Sequence, residues 1–262
     1  MTDGAKAMQL FDLRGHVVII TGGAVGIGQV YSDSLCAAGA RVIIADIAVE
    51  AGQKLAARLN DEGGEALFVE TDISNEIAVG RLADRSIDRF GRIDGLINNA
   101  SLMSSLPRRS WLEIPVEEWD RVMSVDLRGL FLCCRAAAPH MKRQGRGKIV
   151  NIASTRVFEG TPNRLHYTTA KSGVVGFTRA LARELGADNI AVNVVAPGLT
   201  LSDTQIATSK SGYLSSGYDE QRAFARAQHP KDLVGAVMFL LSAASDFMTG
   251  QTLVVDGGRF MR

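Results

Sequence analysis

The feature that most constrains this 262-residue chain is a regular alternation of short apolar runs with longer segments of helical period. His16–Ile20, Arg41–Ala45, Ala66–Glu70, Asp94–Ile97, Lys148–Ile152, Ala191–Val195 and Thr252–Val255 read as strands, most of them nearly all apolar. Strands apolar on both faces belong in a parallel sheet covered by helices on each side. Helical segments fall between them at about 27–38, 49–61, 75–90, 117–143, 166–187 and 231–243, with Gly39 a stop signal after the first. The rhythm predicts one α/β domain over 13–262, built on a doubly wound parallel sheet of about seven strands, behind a short loose tail at 1–12.

Composition removes several classes of function. Hydrophobic residues make up 46% of the chain and charged residues 22%, which excludes disorder as the main state. Lysine and arginine total 29 against 28 acids, so the net charge of +1 offers no long-range attraction to nucleic acid or to an anionic membrane. No stretch approaches 18 consecutive apolar residues, and the first twelve residues lack a signal-peptide core. Cys36, Cys133 and Cys134 have neither disulfide nor metal spacing, and His16, His140, His166 and His229 share no ligand spacing. A cytoplasmic protein without a metal centre is expected. Trp111 and Trp119 are expected as core anchors, Arg108 and Arg109 as a solvated surface pair, and His166 as structural.

In an open parallel sheet, ligands bind at the carboxyl ends of the strands. The first strand runs into Thr21-Gly22-Gly23-Ala24-Val25-Gly26-Ile27-Gly28 and then directly into a helix. Glycines let backbone approach a pyrophosphate, and a helix N-terminus offers free N–H groups and a positive dipole. After the second strand stands Asp46, which can accept from both hydroxyls of an adenosine ribose and would repel a 2′-phosphate. Val25 and Ile47 supply no base to hold such a phosphate, so NAD is favoured over NADP; as a bland alternative, Asp46 caps a helix. Asp72 and Ile73 after the third strand, and Asn99, Ala100 and Ser101 after the fourth, are expected to contact the same ligand. Pro197 and Gly198 after the sixth redirect the chain into a Ser-, Thr- and Gly-rich segment at about 199–230, with Tyr213 and Tyr218 in it, read as a substrate lid.

Tyr167 and Lys171 stand at i and i+4 on one helix face, which places an ammonium near a phenol. A nearby positive charge favours phenolate and lowers the tyrosine pKa towards working pH, making a general acid/base. Ser154, thirteen residues before Tyr167 at a strand tip, can donate a hydrogen bond to a substrate oxygen. Arg156, Val157, Phe158 and Met103 are placed to approach that substrate. They suggest an apolar or aromatic compound, with Arg156 able to meet an anionic or polar group.

Together these residues resemble the classical short-chain dehydrogenases/reductases over essentially the whole chain, ending in Asp256-Gly257-Gly258. The glycine motif falls on Thr21, Gly22, Gly26, Ile27 and Gly28, the Asn-Asn-Ala motif on Asn98, Asn99 and Ala100, and the catalytic set on Ser154, Tyr167 and Lys171. The resemblance implies a Rossmann-type fold and hydride transfer between NAD and a secondary alcohol or ketone, or an aromatic alcohol or aldehyde. It implies that Lys171 also binds the nicotinamide ribose, and that Pro197, Gly198, Thr200 and Ser202 hold the carboxamide. A homotetramer formed through the helices at 117–143 and 166–187 is implied as well. The run Ile152-Ala153-Ser154 through Asn163 is locally similar to the pyridoxal 4-dehydrogenase and arylethanol dehydrogenase branch.

Two positions depart from the pattern. Asp126, in Val125-Asp126-Leu127-Arg128-Gly129, stands where the family has an asparagine that helps to hold a proton-relay water, and Ser101 stands where many members have glycine. An aspartate of similar size would keep the hydrogen bonds and favour the ammonium form of Lys171. Rival readings are a 3-oxoacyl-thioester reductase, which usually goes with NADPH, and a non-catalytic NAD(H)-binding sensor. An epimerase of the extended relatives would need a larger C-terminal substrate domain.

Overall fold

Which way each strand residue points decides how the layers stack. Along β1 (Val17–Thr21), Val17 and Ile19 enter one apolar cluster while Val18 and Ile20 enter another, as alternating side chains must. The structure, a computed structural model, describes residues 9–208 and 219–261. Its strands are β1, β2 (Arg41–Asp46), β3 (Glu65–Glu70), β4 (Gly95–Asn98), β5 (Gly147–Ile152), β6 (Ile190–Pro197) and β7 (Thr252–Val255). They form one seven-stranded sheet in the order β3-β2-β1-β4-β5-β6-β7, and each neighbouring pair is parallel.

The helices are α1 (Gly26–Ala37), α2 (Val49–Asp61), α3 (Glu76–Phe90), α4 (Val116–Met123), α5 (Leu130–Gln144), α6 (Arg156–Glu159), α7 (Leu165–Leu185), α8 (Asp203–Thr208) and α9 (Lys231–Leu241). Leu82, Met141 and Val174 of α3, α5 and α7 cover one face of the sheet. Leu35, Leu55 and Leu233 of α1, α2 and α9 cover the other. Residues 18 to 20 and 42 to 44 are at most 2% exposed, which is why those runs read as continuously apolar. The expected doubly wound, Rossmann-like architecture is the one observed.

Several local expectations change. The helix expected over 117–143 is interrupted by a π-helical turn at Ser124–Gly129, between α4 and α5. Gly129 lies against Ile73, whose Cδ1 would be 2.8 Å from any Cβ added there. Of the expected tail, residues 1–8 lie outside the described residues, whereas 9–12 are tethered. The Leu10 carbonyl accepts the Ala244 N–H at 2.9 Å, and Phe11 lies 6.5 Å from the Phe239 ring. Trp111 is not a core anchor: it is 65% exposed. Arg109 is not simply solvated either, because it pairs with Glu118 at 3.2 Å.

In the expected lid, residues 209–218, with Tyr213 and Tyr218, lie outside the described residues. Its two ends are fastened to each other. Thr200 and Gln228 form a parallel bridge, the Leu201 N–H donates to the Gln228 carbonyl at 2.8 Å, and Arg222 donates to the Leu199 carbonyl at 2.6 Å.

Candidate active site

A cavity of about 670 Å³ opens across the carboxyl ends of the strands, where the order reverses between β1 and β4. One end is made by the turn from β1 into α1. Gly22 and Gly26 adopt φ of +61° and +59°, which glycine tolerates best. A Cβ on Gly28 would lie 1.8 Å from the Gly22 carbonyl oxygen, so the strand end and the helix start touch through bare backbone. No side chain caps α1, which leaves its first N–H groups to a ligand. Gly22, Val25, Gly26, Ile27 and Gly28 line the cavity. A bare-backbone cradle at an uncapped helix start suits a dinucleotide pyrophosphate.

Thr21 does not line the cavity. Its fully buried hydroxyl donates to the Ile97 carbonyl and accepts the Asn99 and Ala100 N–H groups at 3.0 and 3.2 Å, pinning β1 to β4. Asn99 completes that pin by donating to the Thr21 and Gly22 carbonyls, both at 3.1 Å, although it also reaches the cavity wall. Asp46 and Ile47 lie at the same end. The Asp46 carboxylate accepts the Ala24 N–H at 2.9 Å and the Ala48 N–H at 3.0 Å, so it is held facing the glycine loop. Asp72 and Ile73 follow, with the Asp72 carboxylate partly committed to Ser74. Ala100, Ser101, Pro197, Gly198, Thr200 and Ser202 complete this part of the wall.

Ser154, Tyr167 and Lys171 converge on the cavity from the end of β5 and from α7. Ser154 stands beside the Tyr167 phenol on the cavity wall. The Lys171 ammonium donates to the Ile152 carbonyl at 3.1 Å and lies 3.4 Å from the Asp126 carboxylate. Burial pushes the Tyr167 phenol above its ordinary pKa. Lys171 opposes that, Asp126 adds to it, and the Ser154 hydroxyl and the Arg156 charge pull the other way. The expected net lowering is therefore not present: desolvation outweighs an ammonium whose charge is shared with a carboxylate.

Asp126 sits behind this wall rather than in it. Its side chain is fully buried in the π turn, where it accepts the Ser101 hydroxyl, the Leu102 N–H at 2.9 Å and the charge of Lys171. Its contact with the cavity is indirect, through Lys171.

Of the expected substrate contacts, Arg156 and Met103 line the cavity. Arg156 is held there by the Thr161 and Pro162 carbonyls at 2.8 and 2.9 Å. Val157 and Phe158 pack against the core instead, and Phe158 stacks on Phe260 with centroids 5.1 Å apart. Sequence reasoning missed Ser104, Arg121, Ser124, Glu159 and Thr161, which set polar groups among the apolar Leu102, Met103 and Leu199 in the cavity lining. Glu159 accepts from Arg259, a hundred residues away, at 3.1 Å, a pairing no local pattern announces. His166, expected to be structural, is fully buried and contacts Glu118 at 3.1 Å.

Comparison with known proteins agrees with the geometry. A family model described as enoyl-(acyl carrier protein) reductase matches residues 22–259. A short-chain type dehydrogenase/reductase from Mycobacterium marinum superposes with a TM-score of 0.87 at 32% identity, covering 97% of this chain and 99% of that one. The chain belongs to the classical short-chain dehydrogenases/reductases. Within the family, the probable galactose dehydrogenase of Rhizobium meliloti (strain 1021) is 38% identical over 253 residues, 96% of this chain and 98% of the relative. The cis-4-hydroxycyclohexanecarboxylate dehydrogenase of Sinomonas cyclohexanicum is 37% identical over 243 residues, 93% and 96% of the two chains. As a short-chain dehydrogenase/reductase the protein is an oxidoreductase that uses a nicotinamide cofactor on a small molecule. None of its described helices is long and apolar enough to cross a membrane.

Proposed function

We propose that the protein is an NAD-dependent dehydrogenase acting on a secondary alcohol, or on the corresponding ketone, with a polar or anionic substituent. The observation that carries this reading is one cavity holding Ser154, Tyr167 and Lys171 at one end and the glycine loop with Asp46 at the other. Bound nicotinamide supplies the hydride acceptor or donor. In oxidation Tyr167 takes the substrate hydroxyl proton, Ser154 holds the substrate oxygen as its charge changes, and Lys171 favours the phenolate. Asp46, gripped by two backbone N–H groups, presents a carboxylate to an adenosine ribose and repels a phosphate there.

The polar lining supplied by Ser104, Ser124, Arg156 and Thr161 supports a hydroxylated or carboxylated substrate over the apolar aryl carbinol expected from Val157 and Phe158. The sugar and hydroxy-acid names of the two relatives point the same way. Similarity to the 3-oxoacyl-[acyl-carrier-protein] reductase of Synechocystis sp., 34% identical over 251 residues, favours a thioester ketoreductase as second reading, against which Asp46 argues. Assembly as a homotetramer through α5 and α7 in the cytoplasm goes with the first reading.

The test is nicotinamide reduction, followed by absorbance, with NAD or NADP and a panel of sugar alcohols, hydroxyacids, aryl carbinols and a 3-hydroxyacyl thioester. Turnover with NAD that is lost in Tyr167→Phe is expected. Equal use of NADP overturns the cofactor assignment, and binding of NADH without turnover moves the protein to a nucleotide sensor.

A further inference from the structure

A buried ammonium stays charged only beside an acceptor or a counter-charge. Lys171 has both, the Ile152 carbonyl at 3.1 Å and the Asp126 carboxylate at 3.4 Å, and both side chains are almost wholly shielded from solvent. The carboxylate is in turn fixed by a third element. Beyond β4, the Ser101 hydroxyl donates to one Asp126 oxygen and the Leu102 N–H donates to the other at 2.9 Å. Ser101 is itself steadied by the Met103 N–H, which donates to its hydroxyl oxygen at 3.3 Å. Segments from β4, the π turn and α7 thus meet around one ion pair. The two positions where the sequence departs from its family pattern, Ser101 and Asp126, are partners in a single hydrogen bond.

We propose that Ser101 and Asp126 work as one unit, in which Ser101 positions the Asp126 carboxylate as the counter-ion of Lys171 and so restrains how readily Tyr167 releases its proton. The proposal rests on Tyr167 being the acid–base group of the reading above. An uncompensated ammonium four residues along the helix would draw Tyr167 towards phenolate, and a carboxylate in contact with that ammonium cancels part of its field. The charged and titratable groups that act on the phenol are Lys171 on α7, Asp126 behind it in the π turn and Arg156 on α6, with the Ser154 hydroxyl after β5. Asp126 is the member of that set whose charge opposes proton release; Lys171, Arg156 and Ser154 promote it. The consequence is an enzyme whose phenol stays protonated to higher pH, which suits proton donation to a carbonyl more than proton removal from an alcohol.

The test uses the intact protein and four forms: wild type, Asp126→Asn, Ser101→Ala and the double variant. Tyr167 ionisation is read directly from tyrosinate absorbance, each form measured against its own Tyr167→Phe background, and again from the pH profile of alcohol oxidation. Asp126→Asn is expected to move both curves to lower pH by about one unit. Ser101→Ala is expected to move them part of the way, and to add nothing once Asp126→Asn is present. Curves unmoved by Asp126→Asn, or moved to higher pH, overturn the proposal, as does an unmoved Ser101→Ala or a Ser101→Ala shift that persists in the double variant. If Asp126→Asn does not fold, Ser101→Ala and Ser101→Gly decide alone, because each must move the phenol titration to lower pH. The absorbance titration needs no substrate. Failure to find any turnover therefore sinks the dehydrogenase reading without touching this measurement.

Discussion

At the scale of single residues, the proposed selectivity for NAD rests on Asp46, a carboxylate that also ties two backbone segments together. Its two oxygens close the Ala24 and Ala48 N–H groups, so its orientation is fixed before any ligand arrives. In Asp46→Asn the size is kept, but the amide nitrogen cannot accept either proton and the repulsion towards a phosphate is lost. The NAD-to-NADP ratio of kcat/KM is expected to fall about tenfold or more, since a charge-assisted hydrogen bond contributes about 1.5–3 kcal/mol. An unchanged ratio would show that selectivity resides elsewhere. Ser154, Tyr167, Lys171 and Asp46 were legible in the sequence because each sits at a fixed offset from a strand end or along a helix face. Thr21 was not. Its place in the motif is the same whether its hydroxyl points to a ligand or, as here, to Ile97, Asn99 and Ala100. Val157 and Phe158 were misread for a similar reason: nothing within the run says that Phe260, a hundred residues on, will turn Phe158 inward.

At the scale of elements, the β1–α1 turn is where local sequence and tertiary structure agree most closely. The glycines that mark it are required by the approach of helix start to strand end, not only by a ligand. Gly28→Ala would force a methyl into the Gly22 carbonyl, and backbone has to move because the two nearest atoms, the Gly22 oxygen and carbon, are main chain. Such overpacking costs about 1–3 kcal/mol. Cofactor affinity measured by calorimetry is expected to fall about ten- to a hundredfold, together with a lower Tm. Normal affinity in a folded Gly28→Ala would mean that the cradle flexes freely. The segment at 117–143 marks the opposite limit. Its helical period is genuine on either side, yet the turn at Ser124–Gly129 widens so that Asp126 is buried against Lys171 and the Leu102 N–H. A π turn of this kind is set by what the helix must reach, and that partner lies outside the window in which periodicity is read.

At the scale of the whole molecule, the two ends of the sheet do different work. The carboxyl ends carry the cavity, while the amino ends of β1 and β4 are fastened by Asp94. Its carboxylate is 5% exposed, accepts the Val17 N–H at 3.0 Å, and pairs with Arg92 at 2.5 Å and Arg146 at 3.5 Å. Burial alone would raise the pKa of this acid. The Arg92 hydrogen bonds and the Val17 N–H more than offset that, and the net shift is downward. A group whose folded pKa is depressed contributes stability that is fully present above its unfolded value, about 3.9, and is lost as pH falls through the folded value. Arg92 and Arg146 are more than a third exposed, so most of the contribution comes from the buried carboxylate and its backbone donor. In Asp94→Asn, urea unfolding at neutral pH should show a loss of about 2 kcal/mol. The gap from wild type should begin to close as the pH falls below about 4, where the unfolded carboxyl takes up its proton, and should be gone once the pH is below the depressed folded value and the native carboxyl is protonated too. A gap that stays constant through that range would place the cost in packing rather than in charge. Kinetic constants at neutral pH are expected to stay near wild type, since the cavity lies at the opposite edge of the sheet and no residue around Asp94 lines it.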